Sequence, residues 1–215
     1  MFEENGFGII VLLLGTAFLP LVAVTVTAFA KIAVVIFIVR NALGIQQLPP
    51  NIILYGLSLI LSVYISMPVL NETLTQLEAS GLQFETFDEW KDAGQVAVGP
   101  LKEFLAKHTD PKQLEFFLNS TVSIWGEGLA NHADRDSLTI LVPSFLLSEL
   151  TRAFEIGFLL YLPFMAVDII VTTLLVALGM MMVPPTTISV PFKLMLFVFL
   201  DGWTKLIHGL ILTYA

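Results

Sequence analysis

Apolar and polar residues follow one another along this chain in long blocks, not in the short alternation of a β-strand. Residues 6–39 are apolar apart from scattered threonines and Lys31. A straight helix of that length would measure about 50 Å, whereas the hydrocarbon core of a bilayer is about 30 Å thick. Because proline interrupts helical hydrogen bonding, we expect Pro20 to kink or divide this first segment.

A second apolar block covers residues 51–70, which is about the length that one membrane crossing requires. The connection before it, residues 40–50, contains Asn, Gly and a Pro-Pro pair, which are typical of a turn. The first two blocks therefore predict a helical hairpin. Ser58, Ser62 and Ser66 recur at helical spacing and predict a small-residue stripe that allows close helix packing.

Residues 71–137 have a different, amphipathic pattern. Thr86 and Glu89 form a capping box that predicts a helix start. Pro100 and Pro111 predict two further starts, because proline is favoured at the first position of a helix. We expect a small, acidic, mostly helical, water-facing domain. Its apolar faces would comprise Leu101, Phe104, Leu105 and His108 in one helix and Leu114, Phe117 and Leu118 in the next.

The last part of the chain returns to long apolar blocks. A third helix is expected to start near Pro143 and to be almost wholly apolar over residues 156–182, apart from Asp168. A final block covers residues 190–215. The pattern predicts an all-α fold of long kinked helices forming helical hairpins, with a small acidic helical extracytoplasmic domain inserted between the second and third hydrophobic segments. The expected domains are 1–70, 71–137 and 138–215.

Composition supports a membrane protein and excludes several functions. Hydrophobic residues make up 56% of the 215 positions and charged residues only 13%, against about 25% in a typical soluble domain. With no cysteine, the chain has neither a disulfide nor a thiol nucleophile. Residues 71–137 hold 12 acids and 5 bases, which gives −7 of the total −8. A nucleic-acid partner is not expected, because such partners need a basic surface.

The candidate chemistry lies in ionisable residues within the apolar blocks. Such charges are costly in a membrane and are candidates for function by default. Lys31 and Lys205 are long enough for their ammonium groups to reach the interface. Asp201 and Lys205 are four residues apart and could neutralise each other. The complete set is Lys31, Asp168, Lys193, Asp201, Lys205 and His208.

Asp168 has no partner nearby in the sequence. We expect Asp168, Lys193 and Glu149 to pair between helices or between subunits. Asp168 and Asp201 leave open an ion or small-solute transporter. An intramembrane enzyme is a weaker alternative, because the three histidines lie far apart and no nucleophile, zinc or phosphate-binding motif is present. No cofactor or metal is expected.

Residues 178–185 read LGMMMVPP and lie between the last two apolar blocks. Methionine is unbranched and repacks easily, and Pro-Pro cannot continue a helix. Two interpretations stay open, a buried turn between helices and a deformable apolar constriction. Basic residues mark the cytoplasmic side of a membrane protein, so Arg40 and Lys193 favour cytoplasmic first and third loops. The apolar N-terminal run is too long for a signal peptide and is expected to be retained.

Three stretches resemble the FliP/YscR/SctR family of type III secretion export-apparatus proteins. They are PSFLLSELTRAFEIGF at 143–158, MMMVPP at 180–185 and ISVPFKLMLFVFLDGW at 188–203. RNALG at 40–44 and QLPPN at 47–51 extend the likeness to the first hairpin, so it covers nearly the whole chain. The resemblance is closer to the injectisome branch, since flagellar relatives carry a cleaved signal peptide.

The resemblance implies a non-enzymatic core subunit of an export gate, through which unfolded proteins leave the bacterial cytoplasm. It implies a pentameric ring that assembles with SctS-like and SctT-like subunits into a right-handed helical cone. The large export-gate and switch subunits, secreted unfolded proteins and membrane lipid are the further implied partners. The implied location is the bacterial inner membrane, with much of the assembled cone on the periplasmic side.

The resemblance also implies roles for single residues. Met180, Met181 and Met182 match a methionine loop that rings the pore as a gasket, and Gly179, Pro184 and Pro185 would shape that loop. Glu149 and Lys193 match a salt bridge between neighbouring subunits.

Overall fold

The computed structural model describes residues 6–45, 47–81, 86–126 and 134–215, and every regular element among them is helical. The predicted all-α fold of long helices is confirmed. Eight helices are described: α1 Gly6–Thr25, α2 Phe29–Ala42, α3 Asn51–Ser80, α4 Phe87–His108, α5 Pro111–Trp125, α6 Leu138–Ala177, α7 Pro185–Phe199 and α8 Gly202–Leu212.

The chain divides into two compact units whose boundaries fall inside helices. Unit 1 comprises the described residues of Met1–Ala30 and Ser62–Glu149, and unit 2 comprises those of Lys31–Leu61 and Leu150–Ala215. These boundaries differ from the predicted domains because α3 and α6 each contribute to both units. The predicted domains concern which segments face water and which face lipid, and that division stays a prediction.

Unit 1 has an apolar core built largely by amphipathic helices. Val26, Leu105, Leu141 and Phe145 are buried together. Burying an aliphatic or aromatic side chain of this size contributes about 1.5–3 kcal/mol each. Leu101, Phe104 and Leu114 pack against this cluster, so the faces predicted for α4 and α5 are the ones that point inward.

The predicted starts of α4 and α5 are confirmed, and the third predicted start, at Pro100, is wrong. Thr86 and Glu89 make both hydrogen bonds of a capping box at the start of α4. Asp110 caps α5, and Pro111 is at its first position. Pro100 starts no helix but lies inside α4. The apolar face of α4 continues through Leu105, and its packing outweighs the one backbone hydrogen bond that proline removes.

The first apolar segment is divided, but Pro20 does not divide it. Pro20 lies inside α1, and the helix is interrupted at residues 26–28. The Thr27 hydroxyl donates to the Ala23 carbonyl and accepts from the backbone N–H of Phe29 and from the Ser62 hydroxyl. Threonine hydroxyls compete with the backbone in this way and so favour a break. Ser62 belongs to the predicted small-residue stripe, and both Ser58 and Ser62 are buried.

Three other helix limits differ from the prediction. Helix α3 continues through Pro68 to Ser80, ten residues beyond the expected end at 70. Helix α6 begins at Leu138 and not near Pro143, because the Ser137 carbonyl already accepts two backbone hydrogen bonds of its first turn. The last block consists of α7 and α8, which meet at an angle of 61° around residues 200–201.

The connection between α2 and α3 is held by contacts within unit 2. The Arg40 guanidinium donates to the Pro49 carbonyl (3.3 Å) and to Asn51 Oδ1 (2.5 Å). Gly44 has φ 77°, and a Cβ placed there would lie only 2.8 Å from Val190 Cγ2 in α7. Only glycine combines this backbone conformation with this close approach.

Helices α3 and α6 are each long and apolar enough to cross a membrane. Counting the bent pairs α1–α2 and α7–α8 as single spans raises the number of candidate spans among the described residues from two to four. In the windows of α3 and α6 that fit a span, only 22% and 17% of residues are buried. The remaining surface is apolar and suits lipid or another helix.

Candidate functional site

The segment between α6 and α7, residues 178–184, is called the methionine loop below. Helix α6 ends in a Schellman motif: Gly179 has φ 76°, its N–H bonds to the Val176 carbonyl, and the Met180 N–H bonds to the Leu175 carbonyl. Glycine is favoured at this position because its φ is positive. A turn follows, closed by a bond from the Val183 N–H to the Met180 carbonyl (3.3 Å).

Two prolines set the other end of the loop. Pro184 occupies the N-cap position of α7, and Pro185 is its first residue. Proline suits this first position because the N–H that it lacks would have no partner within the helix. The loop is therefore bounded by a glycine and two prolines that each fix the backbone locally.

The three methionine side chains are exposed in the single chain. Met180, Met181 and Met182 are 44%, 79% and 96% exposed. A turn buried within the chain, the first of the two interpretations, is therefore wrong for the single chain. Three neighbouring apolar side chains at a helix end form a surface that favours an apolar partner.

Below this loop, Lys193 joins three elements of unit 2. Its side chain is 5% exposed, and Nζ lies 2.5 Å from Asp168 Oδ2 of α6. The same Nζ donates to the carbonyl of Ala42, the last residue of α2, at 2.9 Å. The last carbonyls of a helix lack partners within it and carry partial negative charge, so a buried ammonium fits there.

The sequence predicts that Asp168 and Lys193 pair between helices or between subunits, but it does not identify them as each other's partners. A usable signal was present. Asp168 lies nine residues before Ala177, the end of α6, and Lys193 lies eight residues after Pro185, the start of α7. At 1.5 Å per residue, Asp168 lies about 13–14 Å from the end of α6 and Lys193 about 12 Å from the start of α7, so a helical hairpin brings them to nearly the same height.

Glu149 and Lys193 lie in different units. Glu149 is fully buried, and its exposed fraction is 0%. Lys193 already has a carboxylate partner within its own chain. The salt bridge between Glu149 and Lys193 of neighbouring subunits stays a prediction. Any such contact has to accommodate the pair that Lys193 forms with Asp168 in its own chain.

Two expectations about charged residues are wrong: that Lys31 reaches the surface, and that Asp201 and Lys205 neutralise each other. Lys31 does not extend to the surface: it is 0% exposed, and Nζ lies 3.6 Å from the centroid of the Tyr214 ring. Such a contact is worth about 2 kcal/mol when desolvated. Asp201 and Lys205 do not pair, and both are exposed. Asp201 has φ 52° and precedes α8, so only its backbone carbonyl bonds to Lys205.

The described residues contain no cluster of three or more His, Cys, Asp or Glu side chains that could hold a metal ion. Asp168 is paired with Lys193, whereas Asp201 occupies the N-cap position of α8.

Comparison with known proteins identifies the family. A model described as the FliP family matches residues 12–210. Probable translocation protein y4yL of Sinorhizobium fredii is 53% identical over 197 residues, which cover 92% of this chain and 89% of that protein. Yop proteins translocation protein R of Yersinia pestis is 48% identical, with 92% and 91% covered. Hypersensitivity response secretion protein HrcR of Ralstonia nicotianae is 42% identical, with 96% of both covered. The chain therefore belongs to the FliP family.

Proposed function

We propose that this protein is a core subunit of the export gate of a bacterial type III secretion system. Family membership and relatives named as translocation and secretion proteins support this role. The helices that are long and apolar enough to span a membrane support a place in the inner membrane. The role is conformational and needs no catalytic group.

The observation that carries the proposal is the exposure of the methionine loop. Met180, Met181 and Met182 are 44%, 79% and 96% exposed, so much of their apolar surface is uncovered in the single chain. In a ring of copies they would meet at the axis and exclude water and ions. Because methionine has a flexible, unbranched side chain, such a ring could open around an unfolded polypeptide and close again.

The assembly proposed here is a pentameric ring with SctS-like and SctT-like subunits, beside the large export-gate and switch subunits. Lys193 would contact Glu149 of a neighbouring subunit in this ring. That contact would either share the ammonium with Asp168 or replace Asp168. A buried pair of this kind fixes register more surely than it adds stability.

The first experiment replaces Met180, Met181 and Met182 together with Ala. Alanine is too short to fill the axis, so the closed assembly should conduct small ions in a planar bilayer. The matched control replaces Met165 and Met195, which are exposed on α6 and α7 and lie outside the loop, with Ala. Unchanged conductance in a fully assembled loop variant would contradict the gasket.

A second variant separates flexibility from apolarity. Leucine at all three loop positions keeps the apolar volume but adds a branch. The closed state should stay tight to ions, whereas export of an unfolded reporter should slow. Equal export by the methionine and leucine forms would show that apolar volume alone suffices.

The pairing between subunits is tested separately. Glu149→Ala or Lys193→Ala should lower the yield of oligomer on a native gel, and exchanging the two charges should restore part of it. Wild-type assembly in both single variants would remove this part of the proposal. The gasket would still stand.

The alternative, an ion or small-solute transporter using Asp168 and Asp201, has no contact in its favour. Asp168 is engaged by Lys193, and Asp201 lies at the exposed start of α8. A transporter predicts that Asp168→Asn abolishes coupled flux without affecting assembly.

A further inference from the structure

Unit 2 contains an apolar cavity of about 340 Å³ that the proposed function does not use. This volume falls in the range of about 300–1,000 Å³ that is typical of small-molecule sites. Helices α2, α6, α7 and α8 supply its walls, and all of its lining residues are apolar or glycine except Lys205 and Thr213. The cavity is therefore lined almost entirely by carbon.

Glycine on α8 creates part of the space. Gly202, Leu206, Gly209 and Leu210 lie on one face of α8 and all line the cavity. At Gly209 an added Cβ would meet no atom within 4 Å, so the wall is open there. Glycine lowers helix stability by about 1 kcal/mol relative to alanine, and at this position it leaves room for a ligand.

A lysine without a counter-ion stands at this cavity. Lys205 lines it and is exposed, and no ion pair to its Nζ occurs in the part of the chain that the structure describes. Lys193, by contrast, is buried against a carboxylate. Lys205 also lies in the first turn of α8, which has no side-chain cap, so uncapped backbone N–H groups add positive potential.

The surroundings favour a ligand that arrives from the membrane. Helices α7 and α8 together form a candidate span. Leu200, which lines the cavity, is itself 49% exposed, and Phe199 beside it is 79% exposed. Asp201, the nearest carboxylate along the chain, lines a different groove. An apolar side chain of a protein partner could fill the cavity but would leave Lys205 without a counter-charge.

We infer that this cavity holds an acyl chain of an anionic phospholipid, with the headgroup phosphate at Lys205. The apolar wall accepts the hydrocarbon, and the ammonium selects the charge of the headgroup. The site is a property of one subunit and does not depend on the methionine loop.

The experiment uses the full chain purified in detergent and supplied with equal amounts of phosphatidylglycerol and phosphatidylcholine of identical acyl chains. Native mass spectrometry then counts the lipids that each protein retains. An exposed charge contact is worth up to about 1 kcal/mol, so the wild type should retain phosphatidylglycerol about fivefold over phosphatidylcholine. Lys205→Met should bring that ratio to about one. Lys112→Met, which removes an exposed lysine of unit 1, should leave the ratio unchanged.

A second pair of variants tests the cavity itself. Gly209→Leu places a side chain in the open space and should abolish retention of both lipids. Gly209→Ala adds only a Cβ at the same helix position and should retain most of the bound lipid. Circular dichroism checks that helix content is unchanged. Lys205 is exposed, so its variants test the headgroup contact even if Gly209→Leu fails to fold.

The inference is overturned if the wild type retains both lipids equally, if Lys205→Met behaves as wild type, or if folded Gly209→Leu retains lipid as before. A second copy of the chain at the site in place of lipid would also overturn it. None of these readouts involves secretion or ion conductance, so failure here leaves the proposed function untouched.

Discussion

Two connections of unit 2 share the same backbone signals and yet have opposite surroundings. The α2–α3 connection has Gly44 followed by Pro49 and Pro50, and the methionine loop has Gly179 followed by Pro184 and Pro185, at identical spacing. The two glycines have nearly the same φ, 77° and 76°. Each glycine N–H donates to the carbonyl three residues earlier, and each connection meets two prolines before or at the start of the next helix.

The α2–α3 connection is fixed by contacts with distant parts of the sequence. Arg40 donates hydrogen bonds to Pro49 and Asn51, and Lys193 donates one to the carbonyl of Ala42. Val190 of α7 packs closely on Gly44. Leu43 is only 1% exposed. These contacts tie the described residues of this connection to α2, α3 and α7.

The methionine loop has only local hydrogen bonds. The N–H groups of Leu178, Gly179, Met180 and Val183 bond to carbonyls of α6 or of the loop itself, and no bond to another element is found within the described residues. Met182 is 96% exposed. The comparison shows that glycine and proline fix where a chain turns, whereas the surrounding side chains decide whether the turn is part of the core or available to another subunit.

The largest loss of stability is expected from breaking the Lys193–Asp168 ion pair, which joins α6 and α7 near both connections. Asp168→Ala leaves the Lys193 ammonium, 5% exposed, with only a carbonyl. Breaking a buried pair costs about 3–5 kcal/mol, and we expect about 3 kcal/mol because Asp168 is 37% exposed. Thermal unfolding in detergent measures the loss, and hydrogen exchange should rise over residues 43–50.

Two controls sharpen this test. Asp201→Asn removes a carboxylate of the same unit that has no ion pair, and stability should change by less than about 0.5 kcal/mol. Adding Lys193→Met to Asp168→Ala removes both charges and should recover much of the stability. If the double variant is no better than Asp168→Ala, uncompensated charge is not the cause.

A smaller effect is the difference in stability lost when Gly44 or Gly179 is replaced with alanine. Alanine at either Gly44 or Gly179 must adopt a positive φ, which costs about 1–2 kcal/mol. At Gly44 the new Cβ also meets Val190, and overpacking adds about 1–3 kcal/mol. A Cβ added at Gly179 would meet no atom within 4 Å, so the positive φ accounts for the whole loss of stability there. Thermal unfolding of both variants measures the difference.

Val190→Ala distinguishes the two components at Gly44. Together with Gly44→Ala it should recover the overpacking part of the loss, and together with Gly179→Ala it should recover nothing. Equal losses at the two glycines would contradict the different surroundings inferred for the two connections.

The smallest effect on stability is expected at Met182. Replacing a side chain that is 96% exposed with Gln should change the free energy of unfolding of the single chain by less than about 0.5 kcal/mol. The assembled gate should nevertheless conduct ions more readily, because an amide attracts water to the axis. A large loss of stability in the single chain would show that the loop is part of the core.

Much of the fold could be predicted from patterns that act locally. The structure confirms the capping box at Thr86, the proline start at Pro111 and the apolar face containing Leu105, because each depends on neighbours within one or two turns. Pro20, which does not divide its helix, and Pro100, which does not start one, show the limit of this approach. Proline costs one hydrogen bond, and packing along the rest of a helix can outweigh it.

The site was predicted only in part. The sequence singled out Lys193 and Asp168 as charges in apolar blocks, but pairing them requires knowing that α6 and α7 run side by side. The Ala42 carbonyl could not be found at all, because every residue has a carbonyl and only the three-dimensional arrangement selects one. The same holds for the cavity beside Lys205, which four helices create together.

By itself, the sequence determined the helical class, the apolar blocks, the connections around residues 40–50 and 178–185 and the charges that need explanation. These follow from backbone geometry and from the free energy of placing apolar and charged groups, which depend on residue type and near neighbours. Only the tertiary structure decided that Lys31 is buried beneath Tyr214, that Lys193 binds Asp168 and that residues 180–182 are exposed. Burial and ion pairing depend on which distant segments meet, and a linear pattern does not specify that.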